Sequence, residues 1–244
     1  MPPLNRLRTC TAFTLVELLA VTAVLGMLAA LLMGSLSGVM RRAHDTKCLG
    51  NLHTLSGAYA AYRADYNFWP SLNREDPANP AAYGSHPWFF SLIQNDYIPA
   101  HREQRDGYSC LVSDVLTCPA NKANPGSRYQ WTSSPYPWRP NYTTTTYWGN
   151  NGGAPQVIPG ANDRVRSVAV TNPQAIVLID STTSPQAGYP SQGADWNKPN
   201  CFIAKVHGGG ANALLANGSV VRISPRTEPD IADLKYWDPR GPAQ

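Results

Sequence analysis

No proline occurs between Pro3 and Pro70, in a chain that holds 22 of them in 244 residues. That gap constrains the fold more than any other feature, because proline breaks helix interiors and its absence leaves 66 consecutive residues free to stay helical. Within it the 23 residues Leu18–Met40 carry no charge. About 20 such residues cross a bilayer's hydrocarbon layer, so the run reads as a membrane span. Thr22, Ser35 and Ser37 are compatible with that environment, since their hydroxyls can bond back to their own helix.

Past Arg41 and Arg42 the pattern turns amphipathic. Cys48, Leu52, Leu55, Tyr59, Tyr62 and Tyr66 follow at spacings of 4, 3, 4, 3 and 4, one stripe along a helix. His53, Arg63 and Asp45 fall off the stripe. Pro70, with Trp69 biased away from helical backbone before it, is expected to end the run. A helix from Phe13 to about Tyr66 would be ~80 Å long. Its first half is apolar all round, and its second half has one face that needs a partner, which the rest of the chain must supply.

The remainder is turn-rich. His86–Pro99 reads as a short helix ending in a turn, "TTTTYW" is β-prone, and Asn172–Pro173 separates one strand from a buried strand at Ala175–Asp180. Ala211–Ala216 and Ser219–Ile223 flank Asn217-Gly218, the pair favoured in a two-residue type I′ hairpin. About four antiparallel strands are expected to cover the helical stripe, which makes the fold class α+β. Aromatic residues at 10% exclude wholesale disorder. The net charge of +4 comes from scattered basic residues, so there is no nucleic-acid footprint.

Glu17 is the anomaly, a lone acid at the start of the apolar run with no basic residue in the span to pair with it. An ordinary secretory signal has 7–15 apolar residues and a small-x-small cleavage site; this run is longer and Glu17 interrupts it early. Cys10 precedes the run, which excludes a lipoprotein box. A plain signal anchor leaves Glu17 without a purpose.

Ala12–Leu18, "AFTLVEL", preceded by Arg6 and Arg8 and followed by the span, resembles the processing site of type IV prepilins and type II secretion pseudopilins. The resemblance implies cleavage by a prepilin peptidase/N-methyltransferase between Ala12 and Phe13. Phe13 would then be the N-methylated first residue and Glu17 the fifth. This chain has Ala12 where the family usually has Gly. The new amine at Phe13 would meet Glu17 of a neighbouring copy or of the same chain, one turn away. Gly34 and Gly38 would allow close helix approach. Loss of the leader takes Arg6 and Arg8 and no acid, lowering the charge from +4 to +2.

The implied organisation is a leader at 1–12, a transmembrane and assembly helix at 13–40, an amphipathic continuation at 41–69 and an exported globular β domain at 70–244. Partners are copies of the chain, other pilins or pseudopilins and an inner-membrane assembly platform. The location is the inner membrane, single-pass with the leader cytoplasmic and the globular domain periplasmic, and then a filament. The alternative is an anchored module that displays an aromatic domain to polysaccharide or another extracellular ligand.

"KCLGNLHTL" (Lys47–Leu55), Cys118-Pro119, and His207 followed after nine residues by Asn217-Gly218 resemble a subgroup of pilin-like proteins of the Planctomycetes/Verrucomicrobia type, with Asn217 in place of Asp. The four Cys beyond the span suit two disulfides on an exported side, with three connectivities; four buried free thiols are the alternative. The resemblance favours Cys48–Cys118, with Cys110–Cys201 as the second pair, and a local Cys110–Cys118 bridge remains open. Cys110 and Cys118 lack the spacing, and a nearby His, for zinc. No metal and no cofactor are expected. Asp163, Asp195 and Asn217 offer oxygen but no spaced acidic cluster for calcium. His207 next to Gly208-Gly209-Gly210 reads as a turn residue bonded to its hairpin or to a neighbouring loop, with a catalytic or metal-binding histidine as the alternative. Asp180-Ser181 with His207 lacks a nucleophile elbow, so no enzyme is expected.

Overall fold

Helix α1 (Leu15–Tyr66) starts on a reciprocal cap. The Thr14 hydroxyl accepts from the Glu17 N–H at 3.2 Å, and Glu17 Oε2 accepts from the Thr14 N–H at 2.9 Å and from its hydroxyl at 2.8 Å. This is the capping box of a T-x-x-E sequence. The computed structural model describes residues 14–70, 88–105, 108–121, 141–145, 170–182, 186–187, 194–197 and 201–239. Side chains are described for these residues except 32–36, 105, 108–111, 145, 186–187 and 234. Ala12 and Phe13 lie outside them, as do Asp163 and the strand expected before Asn172.

The chain divides into two units, Met1–Ala43 and His44–Gln244. In the first, the large apolar side chains of α1 are exposed, from 50% at Val21 to 79% at Leu15, with Leu31 at 73%. Thr22 donates to the Leu19 carbonyl at 3.0 Å, satisfying its hydroxyl within the helix. Among the described residues no helix is long and apolar enough to cross a membrane. Within the run Leu18–Met40, residues 32–36 and Gly34 with them have no described side chains.

The second unit is α+β. Its helical stripe is buried from Cys48 through Tyr62, and Tyr66 packs at its margin. The helix stops at Asn67, whose φ of 64° is left-handed and whose N–H bonds the Arg63 carbonyl at 2.9 Å. Asparagine tolerates that conformation and terminates helices there, so the stop comes three residues ahead of Pro70. Helix α2 (Trp88–Gln94) buries Trp88 through Ile93 and ends at left-handed Asp96.

Strands β1 (His101–Arg105) and β2 (Tyr108–Val112) form a hairpin of their own. The larger sheet contains β3 (Tyr142–Thr145), β4 (Ile176–Asp180), β5 (Gln186–Ala187), β6 (Ala211–Leu215) and β7 (Val220–Ile223), in the order β5-β3-β4-β6-β7. Four strands are antiparallel, as the sequence led us to expect, and β5 adds to β3 in parallel. Every residue of β4 and of β6 is buried, because the sheet has a core on each face. On one face Val177, Leu178 and Leu214 join the α1 stripe, α2 and Tyr142. On the other, Ile176, Ile179, Ala213 and Leu215 meet Trp196, Phe202, Ile231 and Trp237. A register irregularity between Ile176 and Leu178 puts two successive residues, Val177 and Leu178, on the same side.

The β6–β7 connection corrects the expected turn. Gly218 alone is left-handed (φ 86°), its N–H bonds the Leu215 carbonyl, and the Leu215 N–H bonds the Ser219 carbonyl, each at 2.9 Å. These bonds define a three-residue loop with a glycine bulge, the alternative to a two-residue type I′ turn. Asn217 Oδ1 accepts from the Ser219 N–H at 2.9 Å, which holds it in ordinary backbone. The turn with two left-handed residues lies ahead of β6 instead, at Gly208 (φ 63°) and Gly209 (φ 85°), closed by paired bonds between His207 and Gly210.

Candidate functional site

The triple glycine after His207 has separable causes. Gly208 and Gly209 supply left-handed backbone, while a Cβ on Gly210 would lie 2.3 Å from the Ile223 carbonyl oxygen. The turn can therefore close only against bare backbone, and it leaves the His207 side chain fully enclosed. Both imidazole nitrogens are engaged: Nδ1 lies 2.6 Å from Asp45 Oδ1, and Nε2 lies 3.1 Å from Asp180 Oδ2 and 3.4 Å from Cys118 Sγ.

Each partner arrives from a different element. Asp45 and Cys48 project from α1, three residues apart and so on neighbouring positions of the helix. Asp180 ends β4, where its Oδ2 also accepts the Asn212 N–H of β6 at 2.7 Å. Arg222, on β7, donates from Nη2 to Asp45 Oδ2 at 3.2 Å. Cys118 is joined to Cys48 in a disulfide with Cα atoms 5.1 Å apart. Asn51, one turn beyond Cys48, donates to the Thr117 carbonyl at 2.7 Å and the Asp114 carbonyl at 3.3 Å, holding the Cys118 segment against α1. Asn141 accepts the Cys118 N–H at 3.0 Å.

Electrostatics follow from this enclosure. Burial alone would depress the His207 pKa, but the carboxylates of Asp180 and Asp45 outweigh it and raise the value above the ordinary imidazole range. Burial pushes the Asp180 carboxyl up, against the opposing effects of His207, the Asn212 N–H and Arg222. For Asp45, burial acts upward and is overcome by the bonds and charges of His207 and Arg222, leaving its pKa below the usual carboxylate range. The buried Asp180 Oδ1 has no hydrogen-bond partner among the described residues. Cys48, Cys118 and His207 offer ligand atoms that all lie within 4.8 Å of one another.

The residues carried by the family resemblance thus meet in one place. Cys48, Asn51, Cys118 and His207 surround the α1–sheet junction, and the Gly218 carbonyl accepts from Ser56 of α1 at 2.8 Å. Cys201 has a free thiol. The expected Cys110–Cys201 bridge is therefore not formed, and Cys118 is already committed to Cys48, which rules out Cys110–Cys118. The side chain of Cys110 lies outside the described set.

His207 is more than a turn residue, because it bridges α1 to β4 through two carboxylates. A hydrolase-type pairing is not seen: Asp180 does reach His207, but the ring nitrogens face Asp45, Asp180 and Cys118. The oxygen candidates Asp195 and Asn217 are used locally, accepting the Asn197 and Ser219 N–H groups. The sequence reading sets Asp180 beside His207 only as a hydrolase pairing, and it contains neither Asp45 as a partner of His207 nor Arg222 as the residue that holds Asp45. The available signal for Asp45 was its i, i+3 relation to Cys48, which brings it near whatever Cys48 touches. The chain matches no protein-family model, no curated protein and no solved structure.

Proposed function

We propose that this chain is a structural subunit of a type IV pilus-like or type II secretion pseudopilus filament. In this reading a prepilin peptidase cuts before Phe13, the subunit waits in the inner membrane, and copies polymerise through the N-terminal helix. The observation that carries the reading is the exposure of every described large apolar side chain from Leu15 to Met40. A contiguous apolar surface of that kind is tolerated only against lipid or another apolar surface. The processing-site resemblance at Ala12–Leu18 supplies both in sequence, lipid before assembly and neighbouring helices after it. A disulfide at Cys48–Cys118 suits an exported domain.

The capping box sharpens what Glu17 does. Its carboxylate satisfies Thr14 within the chain, a role that needs hydrogen-bond acceptance but no charge. Meeting the Phe13 amine of another copy needs the charge. Glutamine serves capping boxes as well as glutamate does, so Glu17→Gln separates the two. The expected outcome is normal membrane levels of Glu17→Gln with loss of its incorporation into sheared or periplasmic filaments. Wild-type incorporation by Glu17→Gln, or a purified chain whose mass still includes residues 1–12, overturns the assembly reading and favours the tethered display module. Among the described residues the Trp side chains, Trp69, Trp88, Trp196 and Trp237, are buried, and they build core.

A further inference from the structure

We propose that Cys48, Cys118, His207 and Asp180 form a divalent-metal site when the Cys48–Cys118 bond is reduced, the chemistry selecting zinc or a similar thiolate-seeking ion. The proposal goes beyond the filament reading and does not rest on it.

Five features point to a ligand. The two sulfurs and His207 Nε2 already lie within 4.8 Å of one another. Nε2 stands 3.4 Å from Cys118 Sγ, within the edge lengths of about 3.3–3.8 Å that zinc–nitrogen and zinc–sulfur bonds of about 2.0–2.3 Å give a tetrahedron. Asp180 Oδ2, at 3.1 Å from Nε2, lies slightly closer than that range and is the fourth donor, needing only a small outward shift to seat a metal between the two. Asp180 Oδ1, fully buried and without a hydrogen-bond partner, is a further oxygen facing no donor. Histidine ligands characteristically donate their second N–H to a carboxylate, which fixes the tautomer and orients the ring. Asp45 occupies that position at 2.6 Å from Nδ1 and is held in turn by Arg222.

With Nδ1–H directed at Asp45, the Nε2 lone pair converges with a carboxylate oxygen and a sulfur. Acceptors so grouped in a buried place require a cation between them. In the disulfide form a proton on Nε2 serves. Reduction by an external dithiol adds two electrons and two protons, giving two thiols and leaving the reductant as its own disulfide. Binding of the metal then releases three protons to solvent, one from each thiol and the one on Nε2, and places two thiolates, a neutral imidazole and a carboxylate around it. The sulfurs of Cys48 and Cys118 thereby link α1 to the Cys118 segment in either redox state, by a covalent bond or through a metal.

The test uses the full chain in detergent with Cys10, Cys110 and Cys201 changed to Ser, reduced by a phosphine under anaerobic conditions and titrated with Co²⁺. One equivalent of cobalt with a thiolate charge-transfer band, displaced by Zn²⁺ and absent from the oxidised protein, is the expected result. Asp45→Asn should weaken binding about 10–100-fold, as loss of an outer partner does, and His207→Gln should weaken it at least as much. Uptake no greater than that of a chain also carrying Cys48→Ser and Cys118→Ser overturns the proposal. If the reduced chain unfolds, Zn²⁺ must restore its far-ultraviolet circular dichroism and raise its thermal midpoint. Failure to do so equally overturns the site.

Discussion

The two stretches of α1 on either side of Ala43 are made from similar apolar side chains and meet opposite fates. Leu25 is 59% exposed, whereas Leu55, thirty residues on along the same helix, is fully enclosed. Helix formation is satisfied equally in both by backbone bonding, so what separates them is the availability of a surface. Cys48–Tyr66 repeats its apolar positions as one stripe and finds the sheet and α2. Leu15–Met40 is apolar in every direction, a pattern that no single packed face can satisfy. Burial inside a folded unit and exposure along the helix are therefore distinguishable by the periodicity of the apolar positions.

Substitutions can break or sharpen this contrast. The largest effect is expected at the stripe: Leu55→Ala should destabilise the second unit by about 2–5 kcal/mol, the range for emptying a buried leucine site. Leu25→Ala should move the same denaturant midpoint by no more than about 0.5 kcal/mol. Equal losses at the two sites would erase the distinction. A smaller change is expected from Asn51→Ala, which leaves the Thr117 and Asp114 carbonyls without that donor. A cost of about 1–3 kcal/mol follows from stranding buried polar groups, read as a lower midpoint in chemical denaturation; an unchanged midpoint would show that Asn51 does not secure the Cys118 segment. Least of all, Thr14→Ala should cost the first turn of α1 about 1 kcal/mol. Faster amide hydrogen exchange at residues 15–18, with exchange around Leu52 unchanged, would report it.

Periodic features were legible from residues alone. The Cys48–Tyr66 stripe, the buried strand at Ile176–Asp180 and the β6–β7 pairing each announce themselves through spacing, and the structure contains them. Features fixed by tertiary closure were not. His207 meets Asp45 across 162 residues, and nothing in a linear pattern ranks that pairing above others. Asp45 looked solvent-facing because it falls off the stripe, yet a flank position three residues from Cys48 is where a helix meets the edge of its partner. The β1–β2 hairpin was missed because "HREQR" has no apolar alternation, although Asp106-Gly107 separates its strands. The T-x-x-E cap at Thr14–Glu17 is legible as a pattern, but the apolar run around Glu17 masks its hydrogen-bonding role behind its charge. Turn geometry was misplaced for a related reason. Asn217-Gly218 carries the familiar signal, but among the described residues only Gly208-Gly209 adopts two left-handed residues in succession.

The bond between Cys48 and Cys118 also bears on how the molecule would carry tension. It closes a segment of 70 residues, a length that would otherwise pay out about 240 Å when drawn straight. A load entering α1 ahead of Cys48 meets a covalent stop before it reaches Leu52, so pulling cannot unwind the stripe turn by turn. Extension is confined to the parts outside the loop, and the enclosed slack is released only when the sulfurs separate.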